Sequence, residues 1–332
     1  LTTYYRPLVH QGAARPHEAM PLAGGPLWFT HAEVLERGRE GRVVPAQEIP
    51  EPELSRLTVA RLPVAGLDMG RPHVMGILNA TPDSFSDGGL HNTLEAGLAA
   101  ARAMAEHGAT ILDIGGESTR PGSGTVPDAE EIDRVAPMIA AIRAEREIAI
   151  SVDTRKRAVA EAAVEAGADL VNDVSGFTYD VGLAPYCGEN DLPVCVMHTK
   201  GNPDTMQQDP QYDDVLLEVY DFLAEQIALL EAAGVARERI VTDPGIGFGK
   251  TVEHNLILLR NLSLFHALGC PILLGVSRKG FIGKLGGEPQ ADRRAPGSIA
   301  VGLAGLGQGV QILRVHDVAE TMQALRLWQA VR

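Results

Sequence analysis

The sequence predicts a (β/α)8 barrel over residues 69–332, preceded by a Pro-rich N-terminal arm or cap over residues 1–68. Three observations carry that expectation. From His73 onward, apolar β-branched runs alternate with amphipathic helical stretches, with no meander of adjacent strands, which is the pattern of a parallel sheet. The runs are short and nearly all apolar, so each strand is buried on both faces. About eight such units in roughly 260 residues fit a closed barrel better than a doubly wound sheet, the alternative architecture.

The N-terminal segment has no long helical period and is punctuated by Pro7, Pro16, Pro21, Pro26, Pro45, Pro50, Pro52 and Pro63. Within it, Arg42–Val44 and Leu57–Val59 read as short strands, and Thr30–Arg37 as a short helix opened by a Thr N-cap. The barrel strands are expected at Val74–Leu78, Thr110–Ile114, Ile148–Val152, Asp169–Val174, Pro193–Met197, Ile240–Thr242, Ile272–Val276 and Val310–Val315. Helical stretches lie between them at Leu94–His107, Ala129–Glu145, Arg157–Ala166, Val215–Ala233 and Val252–Leu268, with a last one at Ala319–Val331. The uncharged stretch from Ala295 to Leu313 is long enough to span a bilayer, but Pro296, Ser298, Gln308, Gln311 and its glycines make it a buried helix followed by a strand.

Composition narrows the function. The formal net charge of −14 argues against a general nucleic-acid or anionic-membrane binder, so any anionic ligand must be captured by local groups. Cys187, Cys195 and Cys270 lack C-x-x-C spacing and sit among apolar residues, which reads as buried structural thiols in a reducing cytosol. The N-terminus carries no basic-then-apolar signal pattern, so a soluble, cytoplasmic protein is expected.

In a barrel the site lies at the carboxyl ends of the strands. Those ends carry Asn79, then Glu117, Thr119 and Arg120, then Asp153, Asn172, Met197 with His198, Asp243, Ser277 to Lys279, and finally Arg314 and His316. Chance would scatter polar residues over both strand ends, so this convergence points to an enzyme site. Arg314 and His316 share one face of a strand, and Asp317 opens the next helix as an N-cap. Cation, imidazole and helix N-terminus together suit a phosphate; the alternative is a buried Arg–Asp pair beside a core histidine. The run DPGIGFGKT, residues 243–251, is not a Walker A loop, because Pro244 stands where that motif requires Gly. A loop that lets a flat ligand approach the backbone is the expectation there. No His/Cys cluster has zinc spacing. Asn79 and Asp87 offer hard oxygen ligands, which suit Mg²⁺ shared with a substrate phosphate, although Asp87 reads equally well as a solvated loop residue.

Two long motifs carry a resemblance. MGILNATPDSFSDGG, residues 75–89, is similar to the first signature of the dihydropteroate synthase family of pterin-binding enzymes, and DIGGESTRPG, residues 113–122, resembles the second. Shorter matches follow in the family's order: Ser151–Thr154, Asn172–Gly176, Met197–His198, Gly201–Pro203, Asp243–Lys250, Ser277–Lys279 and Arg314–His316. The match runs from about His73 to the C-terminus and leaves the N-terminal arm outside.

The resemblance implies condensation of 6-hydroxymethyl-7,8-dihydropterin diphosphate with p-aminobenzoate, an enzyme of folate biosynthesis and a sulfonamide target, with Mg²⁺ as cofactor and a homodimeric state. It implies that Asp153, Asn172 and Asp243 accept from the pterin edge, that Lys279 faces its acceptors, that Met197 packs on a ring face, and that Arg314 stacks on the ring while reaching phosphate. Asp153, Asp243, Lys279 and Arg314 would form the catalytic set. Asn79, Thr119, His316 and Mg²⁺, itself held at Asn79 and Asp87, would stabilise the departing diphosphate. Phe85, Arg120, Pro121, Phe248, Lys279 and Gly280 would surround p-aminobenzoate. Gly280 departs from the pattern, since many relatives carry Ser after the Ser-Arg-Lys run. A pterin-dependent methyltransferase and a catalytically silent pterin-binding paralogue are the rival readings. The first has no need of Arg314 with His316, and the second would tolerate loss of Asp153, Lys279 or Arg314, all of which are present.

Overall fold

The computed structural model describes residues 2–80, 89–117, 125–201 and 209–332, with only the backbone for 89–93. Residues 2–68 build a small antiparallel sheet from β1 (Tyr4–His10), β2 (Met20–Pro21), β3 (Trp28–Leu35) and β4 (Arg42–Pro45), followed by helix α1 (Glu51–Thr58). β3 is central, with β1 on one side and β2 and β4 on the other. The Arg42–Val44 strand is therefore present, but two expectations fail. Thr30–Arg37 is mostly strand: Ala32 and Val34 point into the core while His31 and Glu33 point away, the period of two that a strand presents. Leu57 and Thr58 close a helix instead, because Pro52 sits in its first turn and Glu51 and Glu53 complement its N-terminus.

Eight parallel strands form the second sheet: β5 (His73–Asn79), β6 (Ile111–Gly115), β7 (Ala149–Asp153), β8 (Leu170–Asp173), β9 (Val194–Met197), β10 (Ile240–Asp243), β11 (Leu273–Leu274) and β12 (Ile312–Val315). Their spatial order is β10-β9-β8-β7-β6-β5-β12-β11, and a parallel bridge between Thr242 and Ile272 joins the two ends into a nearly closed barrel. Around it run α2 (Gly89–His107), α3 (Asp128–Glu145), α4 (Arg157–Glu165), α5 (Leu183–Glu189), α6 (Val215–Ala232), α7 (Val252–Arg260), α8 (Gly280–Gly286), α9 (Ala295–Leu306) and α10 (Val318–Val331). The stretch expected as one helix over Val252–Leu268 breaks at Asn261 and continues as a 3₁₀ helix over Leu262–Leu268. β11 is shorter than expected, hemmed in by Pro271 and Gly275. Ala295–Leu313 is the expected helix followed by a strand, although the helix is only half-buried, the three cysteines are buried and free, and no described helix is long and apolar enough to cross a membrane.

Inward-pointing residues form layers. The lowest comprises Met75, Ile111, Ala149, Leu170, Cys195, Val241, Leu273 and Ile312, closed from below by Val64 and Met69. Val64 and Leu67 bond reciprocally across a tight turn in which Ala65 and Gly66 have φ of 49° and 76°. This plug closes the lower end of the barrel, which is a packed core there. The small sheet docks on the flank: the Tyr4 hydroxyl donates to Asp221 on α6 at 2.9 Å, and Ser263 donates to the Pro7 carbonyl at 2.9 Å. Arg61, buried, donates to the His266 carbonyl at 3.0 Å.

Gly66 has no atom within 4 Å of the position its Cβ would take, so substitution there isolates backbone strain. Gly66→Val should lower unfolding stability by about 1–2 kcal/mol, and Gly66→Asn by clearly less. Equal losses in urea denaturation would show that the left-handed turn is not what closes the barrel floor.

Candidate active site

Strand parity builds the site. Two residues above the apolar floor, the same inward faces carry Asp113 on β6, Ser151 on β7, Asn172 on β8 and Arg314 on β12; Asp153 lies one layer higher. Arg314 reaches across the barrel, donating through Nε to Asp113 at 2.6 Å and through Nη2 to Asp153 at 2.7 Å. The Asn172 carboxamide nitrogen lies 3.3 Å from Asp113. Thus Asp153, Asn172 and Arg314 meet as expected, and the Arg–Asp pairing read as an alternative also exists, with different acids. Burial works against the Arg314 charge, but Asp113 and Asp153 hold it firmly protonated. Burial pushes the Asp153 carboxyl up to about 7 even though Arg314 pulls it down.

The second wall is the loop after β10. Asp243 accepts from the Gly245 amide at 2.7 Å, and burial raises its pKa against the opposing pull of that amide and Lys279. Lys279 donates to the Ile246 carbonyl and lies 4.1 Å above the Phe248 ring. Burial lowers the Lys279 ammonium to about 8, with Asp243 resisting. The glycines of this loop face protein atoms. A Cβ on Gly245 (φ 66°) would collide with the His198 carbonyl, one on Gly249 with Lys200, and one on Gly247 with the Lys279 stem. They let this loop lie backbone to backbone on the segment after β9. Met197 is buried beside Gly245, but His198 turns away from the cluster. Its Nδ1 pairs with Lys250 Nζ at 2.8 Å and its ring meets Phe222 edge-on; burial and Lys250 drive its pKa to about 2.

The last two strands supply the third wall. Ser277 Oγ lies 2.9 Å from His316 Nδ1 and accepts from the His316 amide at 3.1 Å. Asp317 occupies the N-cap position of α10 but makes no side-chain cap, because Arg278 (φ 59°) clamps its carboxylate at 2.5 and 3.0 Å. Gly280 begins α8, with open space where a side chain would be. At the end of β5, the Asn79 carboxamide oxygen lies 3.9 Å from the position a Gly115 Cβ would take, and an Asp153 carboxylate oxygen lies 3.8 Å from the same point. Glu117 holds the base of its loop, accepting from the Val126 amide at 3.0 Å and from Arg155 at 3.2 Å. Phe85, Asp87, Thr119, Arg120 and Pro121 lie outside the described residues.

Two participants were not expected from the sequence. Asp113 lies two residues below the strand end where acids were sought, yet an Asp on the inward face of ILDIG was itself the signal. Lys250 was read as the end of a failed phosphate loop and of a family match, with no role of its own.

Together these walls present carboxylates and an amide for N–H donors, one ammonium for acceptors, a planar guanidinium, and thioether and phenyl faces. That set suits a flat heterocycle carrying an anionic substituent. Comparison with known proteins agrees. Residues 75–316 match the family model described as "Pterin binding enzyme". Dihydropteroate synthase of Escherichia coli strain K12 is 48% identical over 264 residues, covering 80% of this chain and 93% of that enzyme. Among solved structures, Yersinia pestis dihydropteroate synthase in a sulfonamide drug complex superposes with a TM-score of 0.77 at 45% identity, covering 82% of this chain and 98% of that one. The Xanthomonas albilineans enzyme with 4-aminobenzoic acid also gives 0.77, at 47% identity, covering 82% and 97%.

The Asp153 carboxyl should titrate near 7 by carbon-13 NMR, assigned by its disappearance in Asp153→Asn; a midpoint near the ordinary 3.8 would contradict the burial argument. Since the folded value lies above the unfolded one, the associated stability is present below pH 4 and is lost as pH rises through about 7.

Proposed function

The chain belongs to the pterin-binding enzyme family, and from that premise we infer that it catalyses the dihydropteroate synthase reaction of folate biosynthesis. It joins 6-hydroxymethyl-7,8-dihydropterin diphosphate to p-aminobenzoate, giving 7,8-dihydropteroate and diphosphate. The observation that carries the reading is the ring of buried Asp113, Asp153, Asn172 and Asp243 with half-buried Lys279 around Arg314, which matches the donors and acceptors of a pterin edge. A methyl transfer expels no diphosphate and would leave the phosphate role proposed for Arg314 and His316 unused.

In the proposed sequence the bond between the exocyclic CH₂ and diphosphate breaks first, its electron pair leaving with oxygen. The carbocation is delocalised into the ring, where Asp153 and Asp243 favour positive charge. The neutral arylamine then forms the C–N bond, and its surplus proton goes to water. No Ser or Cys nucleophile is needed. Arg314 is suited to stack on the ring and reach phosphate, with His316 on the same side. Phe248 and Lys279 would line the p-aminobenzoate position beside Gly280, with the loops bearing Phe85, Arg120 and Pro121 covering it, and Thr119 would join the diphosphate contacts. Division of the chain into a cap over 1–68 and a catalytic barrel over 69–332 belongs to the same reading.

Mg²⁺ is part of this proposal. Asn79 offers a hard oxygen at the end of β5, which fits an ion that takes most of its shell from water and substrate. Asn79 and Asp87 would hold it, and when bound it would offset charge on the diphosphate oxygens. A homodimer is supported by exposed Leu285 on α8 and Leu327 and Val331 on α10. Buried, unpaired cysteines support a reducing, cytoplasmic setting, and the likeness to a sulfonamide-bound enzyme supports sulfonamide binding.

Diphosphate release should require both substrates together; release from the pterin diphosphate alone at the same rate would sink the assignment. Excess EDTA should abolish turnover, and full activity in metal-free buffer would remove Mg²⁺ from the account. Arg314→Lys keeps charge but loses planarity, and should lower kcat by at least about tenfold; wild-type kcat/KM would show that point charge suffices. Gly280→Ser should lower KM for p-aminobenzoate by about two- to fivefold through one added hydrogen bond, with pterin affinity unchanged; the opposite pattern would mean that the two substrates are interchanged.

A further inference from the structure

Lys250 is 3% exposed, yet none of its partners among the described residues is a carboxylate. Its Nζ lies 2.8 Å from the Gly245 carbonyl, 2.9 Å from the Phe248 carbonyl and 2.8 Å from His198 Nδ1. Two carbonyl oxygens and one imidazole nitrogen surround the amine at hydrogen-bond distance, with the His198 carbonyl farther off at 3.5 Å. Burying a lysine among neutral groups costs free energy, so the arrangement must organise something else. What it brackets is informative. The peptides from Gly245 to Phe248 carry the Ile246 carbonyl that Lys279 bonds and the Phe248 ring on which Lys279 lies. The same segment includes the Gly245 amide that Asp243 accepts. His198 follows Met197, so one nitrogen sews the loop after β10 to the end of β9 from outside the site.

We propose that Lys250 is a positioning residue for pterin recognition: it never touches substrate, and it fixes the Asp243–Phe248 loop so that Asp243 and Lys279 keep their spacing. The proposal rests on the pterin reading above. The Lys250 contact and the Phe222 ring, 4.9 Å between centroids, together hold the His198 imidazole in place. Gly245 leaves no room between its Cα and the His198 carbonyl, so the clamp has no slack once Lys250 closes it. Without the ammonium, two carbonyls lose a buried donor and the loop must move to find water.

The test is steady-state kinetics of the full chain with Lys250→Met. We expect KM for the pterin diphosphate to rise about tenfold while KM for p-aminobenzoate changes by less than about twofold. Equal loss of kcat with both KM values unchanged, or no change at all, would overturn the positioning role. Should Lys250→Met fail to fold, Lys250→Ala assayed with ethylammonium supplies the missing donors. Recovery of pterin affinity by ethylammonium but not tetramethylammonium is expected, and identical behaviour with both salts would overturn the proposal. Inactivity of the unaltered chain with both substrates would instead refute the family reading, independently of Lys250.

Discussion

Everything in the upper half of the barrel depends on one half-buried guanidinium. Arg314 lies on β12, and its partners Asp113 and Asp153 lie on β6 and β7, across the interior. A charge so placed is tolerated only when its hydrogen bonds are satisfied, and two carboxylates satisfy it here. The same ion pairs fix the depth of the site, because the apolar layer beneath them is closed by Val64 and Met69. Counting Asp113, Asp153 and Asp243 against Arg314 and Lys279, the ring has one more potential anion than cations. That imbalance favours positive charge on a bound ring.

The Gly-rich loop is the second constraint, and it is one of backbone proximity. Gly245, Gly247 and Gly249 all have positive φ, and each faces a protein atom that a side chain would strike. Their spacing lets the loop touch the segment after β9 through two residues and the Lys279 stem through the one between. Arg278 makes the complementary contribution on the other side, holding Asp317 and so keeping the seventh and eighth loops together. The site is therefore rigid where ring recognition needs it.

The barrel was legible because its strands are apolar runs at regular intervals, and a parallel sheet leaves such runs little choice. Most of the site was legible too, since strand ends in a barrel converge. Asp113 escaped because attention to strand ends passes over the layer below, and Lys250 because its role lies in three-dimensional contact with its own loop. The N-terminal misreadings have a different cause. In Thr30–Arg37 the alternation of Ala32 and Val34 with His31 and Glu33 is short enough to pass for either period, and pairing with β1 and β4 decided it. At Leu57–Val59, Pro52 and the acids of the first turn outweighed β-branched residues at the end.

The central claim is that Arg314 and Asp113 act as one unit in binding the pterin diphosphate. The direct measurement is a double-mutant cycle by calorimetry on Asp113→Asn, Arg314→Gln and the pair. The account predicts strong coupling, with the double variant binding about as weakly as either single one, because losing one partner already strands the other. Losses that simply add would contradict it.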